Sequence, residues 1–234
     1  MNRKFHEFQL FFKFYIRNGQ GELFLKNGNH YSGEWQNDCF HGTGTKTWKK
    51  PFAKYVGEWQ AGNKWGKGVQ NYSDGSVYSG DWKNNKRDGE GKFYWKTSKK
   101  SKTSKDNYEG SWKDGKMCGK GKLLLKGTNY TGDFKNNQKN GTGFEITNDG
   151  NEYTGCFKNG RRCGLGEEIR QNGDEYCGEY KNGLREGKGC YTFKNGDVYE
   201  GEFLKGEKHG TGKICIKGVF VYDGEWKNGV KQSS

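Results

Sequence analysis

Aromatic residues and glycines alternate with polar residues in a five-residue pattern that recurs along most of the chain. The pattern is Tyr-x-Gly-x-aromatic, and in the copy that begins at Tyr176 the intervening residues are Cys177 and Glu179. A period of two is typical of a β-strand, because successive side chains of a strand point to opposite faces of the sheet. Nine copies occur, and they begin at Tyr31, Tyr55, Tyr78, Tyr108, Tyr130, Tyr153, Tyr176, Tyr199 and Tyr222.

The spacing of these copies is nearly constant. Successive copies are separated by 24, 23, 30, 22, 23, 23, 23 and 23 residues. A Gly-x-Gly pair begins seven residues after the last aromatic of each of the first eight copies, as Gly42 follows Trp35. A fixed period of this size indicates a repeat protein, in which each repeat is one supersecondary unit that stacks on its neighbours.

Each repeat is predicted to form a β-hairpin. The residues after Gly-x-Gly supply a first strand, a glycine turn follows, and the Tyr-x-Gly-x-aromatic stretch forms the second strand. Asn-Gly and Asp-Gly pairs favour such turns because both residues tolerate a positive φ. The glycines within strands are expected to leave room for neighbouring aromatic rings. The turn glycines are Gly28, Gly75, Gly150, Gly173 and Gly196.

The stretches "YVGEWQAGNKWGKG", "YSGDWKNNKRDGEG" and "YEGEFLKGEKHGTG" resemble MORN repeats, whose pattern is Tyr-x-Gly-x-Trp-x-x-Gly-x-x-x-Gly-x-Gly. The resemblance covers residues 18–230, which would hold nine repeats. It implies an all-β fold, namely an elongated single-layer antiparallel meander of about nine β-hairpin repeats of 23 residues.

The two ends of the chain depart from the pattern. Residues 1–17 are predicted to form a degenerate half-repeat that caps the sheet, with Phe8, Leu10 and Phe12 in the repeat phase, because an open edge invites pairing with another chain. A secretory leader is the alternative, but Lys13 and Arg17 interrupt the apolar run and no small-residue cleavage site follows. Residues 231–234 form a short tail. The last strand, Val219 to Trp226, is expected to lie at an edge, either frayed or paired with a partner strand or a second copy of the chain.

A basic extension replaces one tight turn. Residues 92–107 add about seven residues to the repeat and mix lysines with serines and threonines. The segment is either a solvated hairpin tip or a docking arm for an acidic surface such as a protein tail or anionic lipid. The lysines of this basic arm are Lys96, Lys99, Lys100, Lys102 and Lys105.

Composition and charge narrow the class of function. The apolar area is carried mainly by 8 tryptophans, 14 tyrosines and 15 phenylalanines, and the net charge of +13 favours acidic partners. Nucleic acid is an unfavoured partner, because the aromatics recur at one structural phase and no recognition helix or zinc finger is evident. No apolar run approaches the ~20 residues that span a bilayer.

The sequence offers no catalytic or metal site. The 7 cysteines lack a Cys-x-x-Cys spacing, which favours reduced thiols inside a cell. His41 and His209 occupy the same phase of two repeats, so they indicate a scaffold position. The Gly-x-Gly pairs lack the strand–turn–helix context of a phosphate-binding loop. We therefore expect no catalytic residue, no metal and no cofactor, and a protein that is not an enzyme.

Two functions agree with this array. The resemblance to stand-alone MORN proteins implies a non-catalytic structural adaptor that positions the other proteins of a large cytoskeletal assembly. The expected place is the ciliary axoneme, as in radial spoke heads. The alternative is a membrane tether that binds anionic phospholipid. If the aromatic face is the docking surface, its partner-binding residues are expected to be Trp35, Trp59, Trp82, Trp112, Tyr222 and Trp226; otherwise these rings pack only against one another.

Overall fold

The computed structural model describes residues 3–6, 16–96 and 106–232, with side chains from residue 16 onward. The described residues contain strands and turns and no helix. The chain divides into two compact units, Met1–Gly119 and Lys120–Ser234. Phe8, Leu10 and Phe12, on which the predicted cap rests, lie outside the described residues.

The first unit is an antiparallel meander in which each strand from β2 to β9 pairs with the next. Its strands are β1 (Arg3–His6), β2 (Gly19–Phe24), β3 (His30–Gln36), β4 (Cys39–Trp48), β5 (Ala53–Gln60), β6 (Asn63–Asn71), β7 (Val77–Lys83), β8 (Lys86–Tyr94) and β9 (Asn107–Lys113).

Strand β10 (Lys116–Leu125) contains the boundary between the two units. The second unit is again an antiparallel meander, from β11 to β20. Its strands are β11 (Thr128–Lys135), β12 (Gln138–Ile146), β13 (Glu152–Lys158), β14 (Arg161–Ile169), β15 (Glu175–Lys181), β16 (Leu184–Thr192), β17 (Val198–Leu204), β18 (Glu207–Ile216), β19 (Val219–Lys227) and β20 (Val230–Lys231). The prediction of an all-β antiparallel meander of hairpins is confirmed.

Strand β1 covers the free edge of β2, but in a way that the repeat pattern does not predict. It runs parallel to β2, with Arg3 opposite Gly21 and His6 opposite Phe24. All other strand pairings with a described register are antiparallel. The residues that cover this edge therefore lie upstream of the three residues from which a half-repeat was predicted.

Two kinds of turn recur in the described parts of the meanders. In the predicted glycine turns, φ lies between +80° and +88°, and the Gly28 N–H donates a hydrogen bond to the Leu25 carbonyl at 2.8 Å. The second kind joins β3 to β4 through Asn37 and Asp38, with φ values of +48° and +63°. Two positive φ values match the right-handed twist of the flanking strands and explain why Asn, Asp and Gly recur there.

A β-bulge follows the core of the first repeat. Gly33 lies opposite Gly44, but the next pair is Glu34 and His41, so two residues of β4 have no partner on β3. The first of these, Gly42, has a φ of +53°. A bulge with glycine in the left-handed region needs no Cβ there, and this requirement accounts for the first glycine of Gly-x-Gly.

Candidate functional site: the aromatic face

The tyrosines that begin the nine copies lie on one face of the strands, which we call the aromatic face. Eight of them are at most 2% exposed. Each of the nine donates a hydrogen bond from its hydroxyl to the backbone carbonyl three residues ahead, from Tyr31 to Glu34 at 2.8 Å and from Tyr222 to Glu225 at 2.8 Å. A buried hydroxyl needs such a partner, so this bond fixes the orientation of each ring.

The cross-strand glycines make room for these rings. Gly33 and Gly44 lie opposite each other, and a Cβ on Gly44 would collide with the ring and hydroxyl of Tyr31. The same collision recurs at the second glycine of six later Gly-x-Gly pairs, namely Gly68, Gly91, Gly143, Gly166, Gly189 and Gly212. The predicted role of the strand glycines, which was to leave space for aromatic rings, is confirmed.

The aromatic rings form a continuous ladder within each unit. Tyr55 meets Trp59 of its own repeat at a centroid distance of 5.0 Å and Trp82 of the next repeat at 5.4 Å, both edge to face. Tyr176 meets Tyr180 at 5.3 Å and Phe203 at 5.0 Å in the same way. Edge-to-face pairs are favourable because the positive ring edge meets the negative face of its neighbour.

The five tryptophans predicted to bind partners are members of this ladder. Their exposed fractions are 3–4%, and four of them donate from Nε1 to a glycine carbonyl of an adjacent strand, as Trp82 does to Gly68 at 3.1 Å. Tyr222 is half-buried. This placement favours packing over direct docking for the tryptophan rings; partner binding by these residues stays a prediction. The tryptophans are Trp35, Trp59, Trp82, Trp112 and Trp226.

A row of long side chains covers the tyrosine rings, and the sequence reasoning missed it. These residues stand two positions before the first glycine of Gly-x-Gly. In the first repeat the position holds Phe40, which stacks on Tyr31 with a centroid distance of 3.8 Å. Six later repeats hold a cation there that lies 4.3–5.7 Å from the tyrosine centroid, within the range of a cation–π contact. The six cations are Lys64, Arg87, Lys139, Arg162, Arg185 and Lys208.

In the first unit, two of the cations on the aromatic face meet at one ring. The Nζ atoms of Lys46 and Lys64 each lie 5.3 Å from the centroid of Trp48. Lys64 Nζ also donates a hydrogen bond to Oε1 of Gln70, a side chain only 3% exposed. We call Lys46, Trp48, Lys64 and Gln70 the lysine–tryptophan cluster.

The charges of this cluster influence one another. Burial lowers the pKa of Lys46, and burial together with the charge of Lys46 lowers the pKa of Lys64 to about 8. Both effects disfavour the ammonium form, because a half-buried cation loses hydration and is repelled by a neighbouring cation.

In the second unit, the corresponding positions carry carboxylates that neutralise the cations. Glu145 forms an ion pair with Lys139, and Glu168 pairs with Arg162 at 2.6 Å and with Arg170 at 3.5 Å. Glu145 and Glu168 are 8% and 9% exposed. Burial alone would lower the pKa of Arg162, but the hydrogen bond and attraction from Glu168 raise it. This buried network is therefore internally satisfied.

An acidic residue stands before the last aromatic in seven of the nine copies, and its role is one that the sequence did not indicate. Because successive residues of a strand alternate between its two faces, this acid lies opposite the Tyr-x-Gly-x-aromatic face and would be expected to point into solvent. Instead, Glu34 accepts a hydrogen bond from the backbone N–H of Thr43 at 2.7 Å, across the bulge, and Glu58 accepts one from Lys67 at 2.8 Å. The Thr43 hydrogen bonds lower the pKa of Glu34. The carboxylate thus satisfies a donor that the bulge leaves without a strand partner.

The remaining predicted sites are not brought together. Lys96 is exposed beside the turn at Gly75. The other basic-arm lysines, Lys99, Lys100, Lys102 and Lys105, lie outside the described residues. Across residues 16–96 and 106–232, no group of three or more His, Cys, Asp or Glu side chains is arranged to hold a metal ion. No helix of the described segments could cross a membrane.

The cysteines are free, and four of them are opposed in pairs. Cys156 lies opposite Cys163 and Cys177 lies opposite Cys190, in neighbouring strands of the second unit. Burial, the hydrogen bond with Cys156 and its charge raise the pKa of Cys163 to about 11. A thiol with this pKa is protonated at neutral pH and is a weak nucleophile.

β-Hairpin repeats whose aromatic rings form a ladder within each unit define the class of this protein. Its segments match the family described as MORN repeat over residues 31–50, 55–77, 78–99, 108–126, 130–152, 153–175, 176–198, 199–215 and 222–233. The chain belongs to the MORN repeat family. MORN repeats generally mediate interactions with proteins or membranes, and they are generally non-catalytic.

One curated relative supports this membership over a short stretch. The chain is 38% identical over 52 residues to MORN repeat-containing protein 3 of Xenopus laevis. The aligned stretch spans 22% of this chain and 22% of the relative.

Two solved structures resemble this chain at low sequence identity and low TM-score. The wild-type TCP10 domain of CPAP from Danio rerio is 8% identical, with coverage of 89% of this chain and 90% of that chain and a TM-score of 0.40. The TCP domain of SAS-4 (dCPAP) from Drosophila melanogaster, in complex with a proline-rich motif of Ana2 (dSTIL), is 10% identical, with coverage of 76% and 86% and a TM-score of 0.38. At these scores the likeness carries no functional argument.

Proposed function

We propose that this chain is a non-catalytic structural adaptor that positions proteins in a cytoskeletal assembly, in the ciliary axoneme and in the manner of a radial spoke head component. The family membership supports a role in interactions with proteins or membranes. The resemblance to stand-alone MORN proteins supports the cytoskeletal and ciliary part of the proposal.

The observation that favours a protein partner over a membrane is the recessed position of the cations on the aromatic face. Lys64 is only partly exposed, and its Nζ lies over the rings of Tyr55 and Trp82, 4.9 and 4.6 Å from their centroids. Lys208 lies similarly over Tyr199, at 4.8 Å. A flat lipid surface is best met by cations that protrude from a protein. Recessed cations are better suited to side chains that reach in from a protein partner.

Fractionation of the native cells tests the proposal. Cells are extracted with non-ionic detergent, the insoluble pellet is washed with salt, and the protein is followed by blot beside tubulin and a membrane marker. We expect the protein to remain in the salt-washed pellet with tubulin. Release by detergent alone, together with the membrane marker, would instead support the phospholipid tether and reject the adaptor.

Imaging adds a matched comparison. A tagged full-length chain is expressed beside a chain in which Gly68→Ala disrupts the ladder. The intact chain is expected to decorate the axoneme in ciliated cells and the disrupted chain is expected to be diffuse. An intact chain that is diffuse or that outlines the plasma membrane contradicts the axonemal assignment.

A further inference from the structure

Two ammonium groups converge in the lysine–tryptophan cluster without a counter-charge. Lys46 and Lys64 share the ring of Trp48 at 5.3 Å each, and Lys46 also lies 4.9 Å from the centroid of Phe40. Neither lysine forms an ion pair within the part of the chain that the structure describes. Gln70, which accepts a hydrogen bond from Lys64, is neutral.

In the second unit, the equivalent positions hold carboxylates that pair with the cations. Lys46 stands opposite Tyr55, and Gln70 stands opposite both Tyr55 and Tyr78. In the second unit the residues opposite Tyr153 are Glu145 and Glu168. The same site on the repeat therefore holds two carboxylates in one unit and a lysine and a glutamine in the other.

Other cations on the aromatic face differ from this pair. Arg185 occupies the same repeat position as Lys64 and shares the ring of Tyr191 with Arg170, at 5.1 and 5.8 Å, but Glu168 lies 3.5 Å from Arg170 and supplies a counter-charge there. Lys208 and Lys231 both face Trp226, at 5.0 and 5.9 Å, but Lys231 is exposed and water screens its charge. Lys46 and Lys64 are both only partly exposed, so their repulsion is screened less.

We propose that the lysine–tryptophan cluster binds a glutamate or aspartate side chain of an acidic protein segment that lies along the aromatic face. This inference rests on the adaptor function proposed above and names the chemistry of its partner. A carboxylate between Lys46 and Lys64 supplies the counter-charge that Glu145 and Glu168 supply in the second unit. The ring of Trp48 lines the site with an apolar surface, which excludes water and strengthens the charge-assisted hydrogen bonds.

Binding of a carboxylate is coupled to the protonation of Lys64. Burial and the charge of Lys46 hold the pKa of Lys64 at about 8, so the free cluster loses a charge as the pH rises through that value. A bound carboxylate favours the ammonium form. The affinity for an acidic segment therefore falls between pH 7 and pH 9, a range in which a carboxylate probe keeps its own charge.

The test measures the binding of a fluorescein-labelled peptide of alternating glutamate and glycine to the full chain by fluorescence anisotropy. A peptide with glutamine in place of glutamate reports charge-independent binding. The test variants are Lys64→Met and Lys46→Met, which keep the aliphatic stem over the rings. The matched control is Arg185→Met, which removes one cation from the same repeat position elsewhere on the aromatic face.

We expect the glutamate peptide to bind about tenfold more weakly to either lysine variant, the loss expected for one charge-assisted hydrogen bond. Arg185→Met is expected to change the affinity by less than about twofold. An equal loss of affinity in all three variants would show that the peptide is attracted only by the net charge of the chain. Unchanged affinity in the two lysine variants would reject the site. Vesicles of phosphatidylserine and phosphatidylcholine are titrated in parallel; lysine-dependent binding to vesicles that exceeds binding to the peptide would overturn the protein partner.

These results are distinguishable from a failure of the proposed function. If the lysine variants bind the peptide normally while the wild-type chain stays in the detergent-resistant pellet, the site is rejected and the adaptor stands. If the chain leaves with membrane while the peptide still requires Lys46 and Lys64, the adaptor is rejected and the carboxylate site stands.

Discussion

The hydroxyl of Tyr176 donates a hydrogen bond to the backbone carbonyl of Glu179 at 3.0 Å. Four residues further along, the hydroxyl of Tyr180 is buried without a hydrogen-bond partner among the residues that the structure describes. Both rings belong to the same ladder and meet edge to face. The repeat thus requires a hydroxyl at its first aromatic and only a ring at its last. Accordingly, the last position holds Phe134, Phe157 and Phe203 in other repeats.

This difference predicts opposite effects for two conservative substitutions. Tyr176→Phe is expected to lower the free energy of unfolding by about 1–2 kcal/mol, because the part-buried hydrogen bond to the Glu179 carbonyl is lost. Tyr180→Phe is expected to leave stability unchanged or to raise it slightly, since it removes an unsatisfied buried hydroxyl. Urea unfolding followed by tryptophan fluorescence measures both. Equal destabilisation by the two substitutions would contradict the assignment of the hydrogen bond as the cause.

Substitution of the second glycine of Gly-x-Gly is expected to lower stability more than either tyrosine substitution. Gly68→Ala places a methyl group against the ring and hydroxyl of Tyr55, a side chain that is fully buried. We expect a loss of about 3 kcal/mol, the upper end for overpacking. The matched control is Gly218→Ala, at a turn where φ is +81° and no atom lies within contact distance of the new Cβ. It should cost only about 1 kcal/mol, from the backbone conformation. Similar losses at both positions would show that backbone strain, and not the tyrosine ring, dominates.

The hairpins, their glycine turns and the use of strand glycines as space for rings could be predicted from the sequence, because they depend on residues adjacent in the chain. Tyr31, Gly33 and Trp35 alternate within one strand, and that alternation is visible in any single repeat. The role of Gly44, beneath the ring of Tyr31, required the register between β3 and β4.

Contacts that depend on register across strands could not be predicted. The hydrogen bond from the Thr43 N–H to Glu34 spans a bulge. In the sequence, the alternation of residues along the strand places this acid on the solvent side and gives no sign of the bond. The long side chain that covers most of the tyrosine rings, a cation in six repeats, was also missed, because Lys64 cannot be told from the other lysines of the chain by sequence alone. Its recurrence two residues before Gly-x-Gly, as Lys, Arg, Phe or Met, was the available signal.

The buried tyrosines predict a steep loss of stability in alkali. Burial, followed in most cases by the charge of a neighbouring acidic residue, raises the pKa of eight of them, to about 12 for Tyr176 and Tyr199. Because the unfolded pKa is about 10, the folded state holds more protons above that pH. Their stabilising contribution is therefore complete below pH 10 and is lost as the pH rises through 10 towards the folded pKa values, by on the order of 1 kcal/mol per pH unit for each tyrosine as an upper limit.

Parallel titrations of tyrosinate absorbance and circular dichroism as a function of pH test this expectation. The ladder tyrosines should ionise together with unfolding. Gradual ionisation near pH 10 with the strands intact would contradict it.

The stability of the second unit is predicted to depend on one carboxylate of its buried ion network. Glu168→Gln removes the 2.6 Å partner of Arg162 and leaves a half-buried guanidinium with less counter-charge. We expect a loss of about 2–3 kcal/mol. The neighbouring Glu167 is exposed on the opposite face, so Glu167→Gln is a matched control with an expected change below about 0.5 kcal/mol. Chemical denaturation at neutral pH measures both. A loss of stability in the control variant that equals the loss in Glu168→Gln would assign the effect to the net charge of the chain.

The lysine–tryptophan cluster predicts that one substitution increases stability. Lys64→Met keeps an unbranched apolar chain over Tyr55 and Trp82 but removes a cation that burial and Lys46 disfavour. We expect the free energy of unfolding to rise by about 1 kcal/mol at neutral pH, the lower end for apolar replacement of buried charge. The sign follows from linkage: the folded pKa of about 8 lies below the unfolded value of 10.5, so the unfolded state holds more protons between these two values. Wild-type stability should therefore rise from pH 8 towards pH 10, and the advantage of Lys64→Met should shrink over the same interval.

Urea unfolding of wild type and Lys64→Met at several pH values measures this convergence. Arg185→Met is the control, because its difference in stability from wild type should not narrow over that interval. If Lys64→Met is less stable than wild type at neutral pH, the cation–π contacts outweigh the repulsion, and the cluster has no deficit of counter-charge for a partner to fill.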